Sequence, residues 1–517
     1  MISGKLHTAL PSKEPTVQQG SWVSPRARAA LFGPAREQVA EQEAVVTGSL
    51  PDWLQGSVIG NGGGLYSDME HLFDGLALIS KLRIQGGRVW GSQRFLESRQ
   101  YKHLQATGEL RWREFATPLK AKTWLDKASQ VGGNMWAVVT KGDGFTDNAS
   151  VNAIPLPDGS VLACSESLPS LYRVRPSDLA TLEQVQLQDD GVEGQLTTAH
   201  PKLQDGGRSL INFTRTLPAG GFHLYKQDLV TMKRTQLAFI RDADPAAPAW
   251  VHDFSATSRH AIIFETPLLF NMPALMFGGT RDHVFMDWRP ERGTRVHCVA
   301  LDGSGVKTFQ APPFFTFHHA NAFEDEQGDV HVDFAGYEDA KIMDDLLMER
   351  LQQLPGKQVS SSALQRLTLP LGSDPGATQL PPPRPLITDP QAHGAFCEFP
   401  AVAPAVSGRP HRYVYSLAAV RPTNMGNALA KLDVQQGSSQ MWHEPGAMAG
   451  EPLFVPQPGL AAEDGGVVLS LVMGADGRSF LLVLDAASWQ EVARAQLPFA
   501  VPYRFHAAFL PLAAAHT

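Results

Sequence analysis

Hydrophobic and polar positions alternate along this chain in short bursts. SVLACSE (160–166), RSLINFT (208–214), HAIIFE (260–265), RYVYSLAAV (412–420), GVVLSLVMG (466–474) and SFLLVLDA (479–486) are strand-length runs rich in branched residues. Turn signals such as PDG, QDGG, EDGG and ADG bound them. Runs of this kind, closed by Gly, Pro and Asp, predict many short strands. The pattern points to an all-β fold, and at 517 residues a propeller fits better than a sandwich or a small barrel. No WD or kelch repeat is present, so periodicity does not set the blade number.

Helical spacing is rare. Residues 338–354 carry Ile342, Met343, Leu346, Leu347, Leu351 and Leu354 on one side, and Pro355 follows. That stripe predicts one helix. A second is expected over 120–128. Both read as insertions capping one face of the β scaffold. The stretch 371–390 holds Pro381, Pro382, Pro383 and Pro385 and is expected to be an extended surface loop. Residues 1–40 are expected to be a flexible arm and 41–517 a single catalytic propeller. Up to Arg36 the arm has five basic residues and only Glu14 as an acid. That is the composition of a transit peptide, with an unstructured arm as the plain alternative.

A net charge of −8, with no basic stripe, argues against nucleic acid as a partner. Cys164, Cys298 and Cys397 are too few and too scattered for a disulfide framework, which points to a reducing compartment.

Four histidines stand out by context: His200 in AHPK, His252 in VHDF, His318 in FFTFHHANAFE and His506 in PYRFH. Neutral imidazole is the commonest protein ligand for a transition metal. Ligands this far apart in sequence meet only at the axis of a closed fold. His319 alternates to the other side of its strand, so His318 is the ligand candidate. Three glutamates, Glu166, Glu398 and Glu451, sit in similar settings. A metal-bound imidazole donates its other N–H to a partner, often a carboxylate, and these three are candidates for that role. An all-histidine set leaves positions open on an octahedral ion. Ferrous iron, Fe(2+), is the expected cofactor, and the chemistry alone also admits manganese or copper.

HLFDG (71–75), FTDNAS (145–150), AHPK (199–202), VHDF (251–254), FFTFHHANAFE (314–324), EFP (398–400), EPLFVPQPG (451–459) and PYRFH (502–506) occur in this order. In these motifs the chain resembles the carotenoid cleavage oxygenase family over nearly its whole length. The resemblance implies a seven-bladed propeller with a small helical and loop dome over the metal-bearing face. It implies iron on His200, His252, His318 and His506, an outer shell of Glu166, Glu398 and Glu451, and Val151 beside an open iron position. NGGGLYSDMEHLFDG, YKHLQATGELRWREF, RPTNMGNALAKLD and DDLLMERLQ are similar to the carlactone-synthase-like, strigolactone-pathway branch. Two departures stand out. The family pattern usually has NGP where this chain has Asn61-Gly62-Gly63, and often an Arg before it where this chain has Gly60. It commonly has PYGFHG where this chain has Arg504 and Ala507.

The resemblance implies cleavage of a carotenoid or apocarotenoid double bond by O2 to two carbonyl products, with carlactone formation from 9-cis-β-apo-10′-carotenal as the finer expectation. Phe254, Phe315, Phe317 and Phe505 are candidate walls of an apolar tunnel. The apolar stretch 267–277 is expected to touch a membrane, with core burial as its rival. Plastid localisation follows from the branch, with cytoplasm as the alternative. Competing readings are cleavage of a stilbene-type alkene or a full-length carotenoid, an ester-cleaving isomerase, and an apocarotenoid-binding propeller without turnover. Retention of all seven shell residues argues against the last.

Overall fold

The computed structural model describes residues 22–512 apart from 35–37, 67, 121, 122, 127, 130, 131, 134–144, 190, 218, 219, 278–282, 354 and 355. Each of the expected runs is a strand, among them Val161–Cys164, Ser209–Arg215, His260–Glu265, Tyr413–Ala418, Gly466–Met473 and Ser479–Asp485. Turn chemistry sets their ends. Gly159 and Gly477, both at φ +81°, occupy the left-handed region in the PDG and ADG turns, where a β-carbon would be strained.

Among the described residues the strands form seven sheets of four to six strands and one two-stranded hairpin. Seven sheets arranged as blades make the β-propeller. Two separate strand exchanges close the ring. The C-terminal strand Arg504–Pro511 pairs antiparallel with Gly56–Leu65, and Val45–Gly48 pairs with Glu491–Gln496. Hydrophobic clusters fill the space between neighbouring blades. One of them joins Ile262, Phe264 and Val296 of one sheet to Val332, Phe334 and Leu367 of the next. This alternation of inward side chains is the ordinary way two twisted sheets pack. The three cysteines are free and buried, each in a different cluster.

The dome gathers Leu72–Asp74, Arg99–Thr107, the hairpin Leu268–Phe270 with Met286–Trp288, and the turns Ile342–Asp345 and Met348–Gln352. Three expectations change here. The stripe over 338–354 is not one helix. Leu347 is extended, at ψ 133°, because its backbone bridges to His71. Leu72 N donates to Leu346 O at 3.0 Å, and Met348 N to Glu70 O at 2.9 Å. Tertiary pairing overrides helical spacing at that point, although Ile342, Met343 and Leu351 remain buried. In the segment expected to be helical over 120–128, residues 124–126 and 128 are helical, while 121, 122 and 127 lie outside the described residues.

The stretch 371–390 is more than a surface loop. Arg384–Pro385 adds an outer strand to its blade, and Leu380 N donates to Gln310 O of the neighbouring blade at 2.8 Å. Proline is tolerated there because an edge strand needs fewer ladder donors. Of the expected arm, 1–40, residues 1–21 and 35–37 lie outside the described residues, and part of the remainder is regular structure. Pro25–Phe32 is a helix, capped by Ser24 and started by proline, with Ala27, Leu31 and Phe32 buried. Tyr503 N donates to Leu31 O at 3.1 Å, so this helix docks beside the motif that carries His506. Residues 39–43 then form a strand against Arg88–Phe95.

Candidate metal centre

The seven singled-out residues come one from each blade. His318 lies on the strand Phe315–Glu324 and His506 on Arg504–Pro511, each the first strand from the axis. His252 and Glu451 immediately precede the inner strands Ser255–Ala256 and Leu453–Pro456, and Glu398 opens Glu398–Ala401. His200 falls between Leu196–Thr197 and Lys202–Gln204, and Glu166 follows Val161–Cys164. Closure of the ring brings them together.

His252 Nε2 lies 3.1 Å from His200 Nε2 and 3.4 Å from His318 Nε2. The ligating atoms of these three all fall within 4.8 Å of one another. The His506 ring is 4.6 Å from that of His200 and 5.1 Å from that of His318. His319 turns away, and Ser255 Oγ lies 2.7 Å from its Nδ1.

The glutamates stand behind the histidines. Glu166 Oε1 is 2.5 Å from Nδ1 of His252, Glu398 Oε2 is 2.5 Å from Nδ1 of His318, and Glu451 Oε1 is 2.7 Å from Nδ1 of His506. Each carboxylate uses its second oxygen as well. The Trp250 indole donates to Glu166 at 3.1 Å, the Tyr337 hydroxyl to Glu398 at 2.7 Å, and the Ala507 peptide N–H to Glu451 at 2.8 Å. With both oxygens held, each carboxylate orients its imidazole and keeps the proton on Nδ1.

That tautomer leaves Nε2 as a bare lone pair. His252 and His318 then face each other at 3.4 Å as two acceptors, an arrangement that a cation between them relieves. Burial and the neighbouring imidazoles hold His200 and His318 well below the usual histidine range, so they are neutral and able to ligate. Burial pushes the Glu398 carboxyl up to about 7, against the hydrogen bond from Tyr337 that pulls it down. A bound cation would favour the ionised form. The residues therefore fit a divalent metal held by nitrogen.

One cavity opens on this centre and a second adjoins it. The first, about 840 Å³, is lined by His252, His318, His506 and Val151 and by apolar groups that include Phe317, Ile342, Phe396 and Met425. The second, about 910 Å³, lies on the far side of Glu166 and Trp250. It mixes Phe213, Phe270 and Phe285 with Ser150, Ser167, Thr146, Asn148, Arg113 and Arg215. Phe73, Phe115, Ser165 and Glu166 border both.

Of the expected tunnel residues, Phe317 and Phe505 line the first cavity. Phe254 does not. It is fully buried between blades, 5.7 Å from Phe213. Phe315 packs behind the wall, 6.0 Å from Tyr337 and 6.3 Å from Trp250. Strand alternation sends 315 and 317 to the same face, but the bulge after Thr316 changes their depth.

Within the expected membrane stretch 267–277, Pro273 is exposed and Leu275 half-buried, and the first residues pack inward. Leu268, Leu269 and Phe270 are buried, and Phe270 N donates to Pro248 O at 2.8 Å. These residues are core. The side chains of Met276 and Phe277 lie outside the described ones. No described helix is long and apolar enough to cross a membrane.

Sequence reasoning passed over Trp250, Tyr337, Phe73 and Phe399. Trp250 precedes His252 by two positions and could have been suspected from that spacing. Phe73 of HLFDG lies parallel to the His252 ring at 6.1 Å. Phe399 stacks on His318 at 4.7 Å with φ +49°, an unfavourable backbone for a large side chain, held by its N–H to Glu398 at 3.1 Å. Nothing local marks Tyr337.

Comparison with known proteins agrees with this geometry. The family model described as retinal pigment epithelial membrane protein matches residues 32–511. "Carotenoid cleavage dioxygenase 8 homolog B, chloroplastic" of Oryza sativa subsp. japonica is 32% identical over 492 residues, 92% of this chain and 84% of its own. The structure of a point mutant of Synechocystis ACO superposes with a TM-score of 0.77 at 27% identity, covering 96% of this chain and 100% of that one. A cobalt-substituted Synechocystis ACO gives 0.76 at 26% identity, with the same coverage. A propeller whose seven blades each supply one histidine or glutamate to the axis, together with a family match spanning nearly the whole chain, identifies this protein as an oxygenase of the carotenoid cleavage oxygenase family.

Proposed function

We propose that residues 41–517 form one catalytic unit that cleaves a conjugated double bond of an apocarotenoid with O2 to give two carbonyl products. His200, His252, His318 and His506 would hold Fe(2+), with Glu166, Glu398 and Glu451 orienting three of them. The iron would supply binding and activation of O2 at positions the histidines leave open. Everything else falls to the chain. Phe73, Phe317 and Phe505 would grip the polyene beside the histidines, and the apolar first cavity would exclude water from the reacting bond.

The observation that carries the apocarotenoid reading is the unlike character of the two cavities. One is apolar apart from the metal shell, and the other carries hydroxyls, an amide and two arginines. A rod with a hydrocarbon ring at one end and an oxygen function at the other matches both. A symmetrical hydrocarbon carotenoid would set a hydrocarbon end against this more polar lining, whereas an oxygen function suits it better. The likeness to the carotenoid cleavage dioxygenase 8 homolog supports 9-cis-β-apo-10′-carotenal as the substrate to offer first, with carlactone as its product. The word chloroplastic in that name, together with the basic composition of residues 1–36, supports the plastid as the compartment.

The test is incubation of the iron-loaded protein with that apocarotenal and with β-carotene under O2, products being read by chromatography and mass. Turnover of the apocarotenal to a rearranged, oxygenated product supports the full proposal. Simple aldehydes from it would keep the cleavage and remove carlactone formation. Turnover of β-carotene alone would overturn the apocarotenoid preference.

A further inference from the structure

Many polar groups on the wall of the second cavity are already engaged. The Thr146 hydroxyl donates to Glu114 at 2.9 Å, Ser167 Oγ to Thr146 O at 2.7 Å, Asn148 Nδ2 to Gly75 O at 3.0 Å and Arg113 Nη1 to Leu275 O at 2.6 Å. Arg215 is different. It lines this cavity and is only 3% exposed, and its Nη2 donates to Asp242 Oδ1. Its Nε and Nη1 are buried with no hydrogen-bond partner. A buried donor left unmet is costly, so one in a cavity wall calls for an acceptor in that cavity.

The guanidinium is held in place from two sides. Asp242 takes one end of it, and its carbon lies 4.2 Å from the centroid of the Phe222 ring, the residue opposite Arg215 in the ladder. On the other side Arg215 pairs with Leu196, and the next residue, Thr197, donates its N–H to Glu166 O at 2.8 Å. Two backbone steps therefore tie the arginine to the glutamate behind His252. Asp242 already balances the charge of Arg215, and the Glu166 side of the cavity carries a second carboxylate. An anionic ligand entering here would meet like charge. An uncharged carbonyl oxygen accepts from Nε or Nη1 without that penalty.

We propose that Arg215, oriented by Asp242 and Phe222, is the specificity-determining residue of the second cavity and donates a hydrogen bond to the aldehyde oxygen of an apocarotenal. Anchoring that oxygen fixes how far the polyene reaches towards the histidines, so one contact selects both the substrate and the bond presented for cleavage. This inference rests on the reading of the chain as an apocarotenoid-cleaving enzyme.

The test uses the full chain, loaded with iron and kept free of O2, so that 9-cis-β-apo-10′-carotenal binds without being cleaved. Absorption and the carbonyl stretch of the bound polyene are recorded. A hydrogen bond to the aldehyde oxygen moves the absorption to longer wavelength and lowers the stretching frequency. Wild type should show both shifts. Arg215→Met should lose them and bind the aldehyde about ten-fold more weakly. It should bind β-carotene, which has no oxygen, no more weakly than wild type does. The double variant Arg215→Met with Asp242→Asn leaves no unpaired aspartate and is measured alongside in case the single one does not fold. Arg215→Lys keeps a donor and should retain part of the shift. Neutral variants that fold and keep the full shift and affinity would overturn the proposal, as would wild type that prefers the carboxylic acid to the aldehyde. Once O2 is admitted, an aldehyde bound through Arg215 but never cleaved would overturn the functional reading and leave the anchor. Cleavage that does not depend on Arg215 would do the reverse.

Discussion

The Tyr337 hydroxyl donates to Glu398 at 2.7 Å, while the other oxygen of that carboxylate sits 2.5 Å from Nδ1 of His318. Two blades cooperate in this relay: Phe315–Glu324 and Val330–Tyr337 belong to one, and Glu398 to its neighbour. Glu398→Gln should keep the fold and lower iron affinity or turnover by about 10–100-fold. Tyr337→Phe leaves one carboxylate oxygen without its donor and should cost about 1–3 kcal/mol of stability, with a smaller loss of iron. Iron stoichiometry and thermal melting measured together test both. Full iron occupancy in Glu398→Gln would remove that glutamate from the supporting set.

Burial pushes Glu114 up to about 8 from the usual 4.5. Gln100 Nε2 at 2.8 Å and the Thr146 hydroxyl at 2.9 Å donate to one of its oxygens. A carboxyl whose folded value is raised binds its proton more tightly folded than unfolded. Its contribution is therefore fully present below the unfolded value and is lost as pH climbs towards about 8. Wild-type stability should fall across that window. Glu114→Gln should flatten the profile, gaining on wild type at the alkaline end. Denaturant midpoints at several pH values check this, and parallel profiles would show that Glu114 does not carry the dependence.

Phe254 and Phe317 are expected to separate packing from substrate contact. Phe254→Ala empties an inter-blade site and should cost about 3–5 kcal/mol while leaving product identity unchanged. Phe317→Leu alters the wall of the cavity that contains His252 and His318. It should change KM or the position of cleavage with little loss of melting temperature. Altered products from a folded Phe254 variant would return that residue to the substrate path.

Leu269 and Phe270 are 5% and 4% exposed. Replacing either with Lys puts an unpaired charge into the dome core, and the soluble yield or melting temperature should drop sharply. Stable, soluble variants that bind liposomes less well than wild type would place this segment on the surface after all.

Much was legible in the sequence because it depends on local chemistry. Short apolar, branched runs and the turn residues between them specify strands such as Gly466–Met473 and its hairpin partner Ser479–Asp485, with left-handed Gly477 in the turn. The family motifs named His200, His252, His318, His506 and the three glutamates, the residues that ring closure brings to the axis. The helix at Pro25–Phe32 also had its signal, Ser24 followed by proline, though basic composition suggested an arm.

Other features exist only once the ring closes. Leu347 leaves the helix because its backbone finds His71, which lies far away in sequence. Phe254 and Phe317 occupy similar aromatic contexts, yet one meets Phe213 between blades and the other faces the metal centre. Tyr337 becomes a partner of Glu398 through the packing of one blade on the next. Short-range preferences decide which strands form. Which side chains share a cavity depends on blade-to-blade contacts between residues distant along the chain, and no local pattern encodes those.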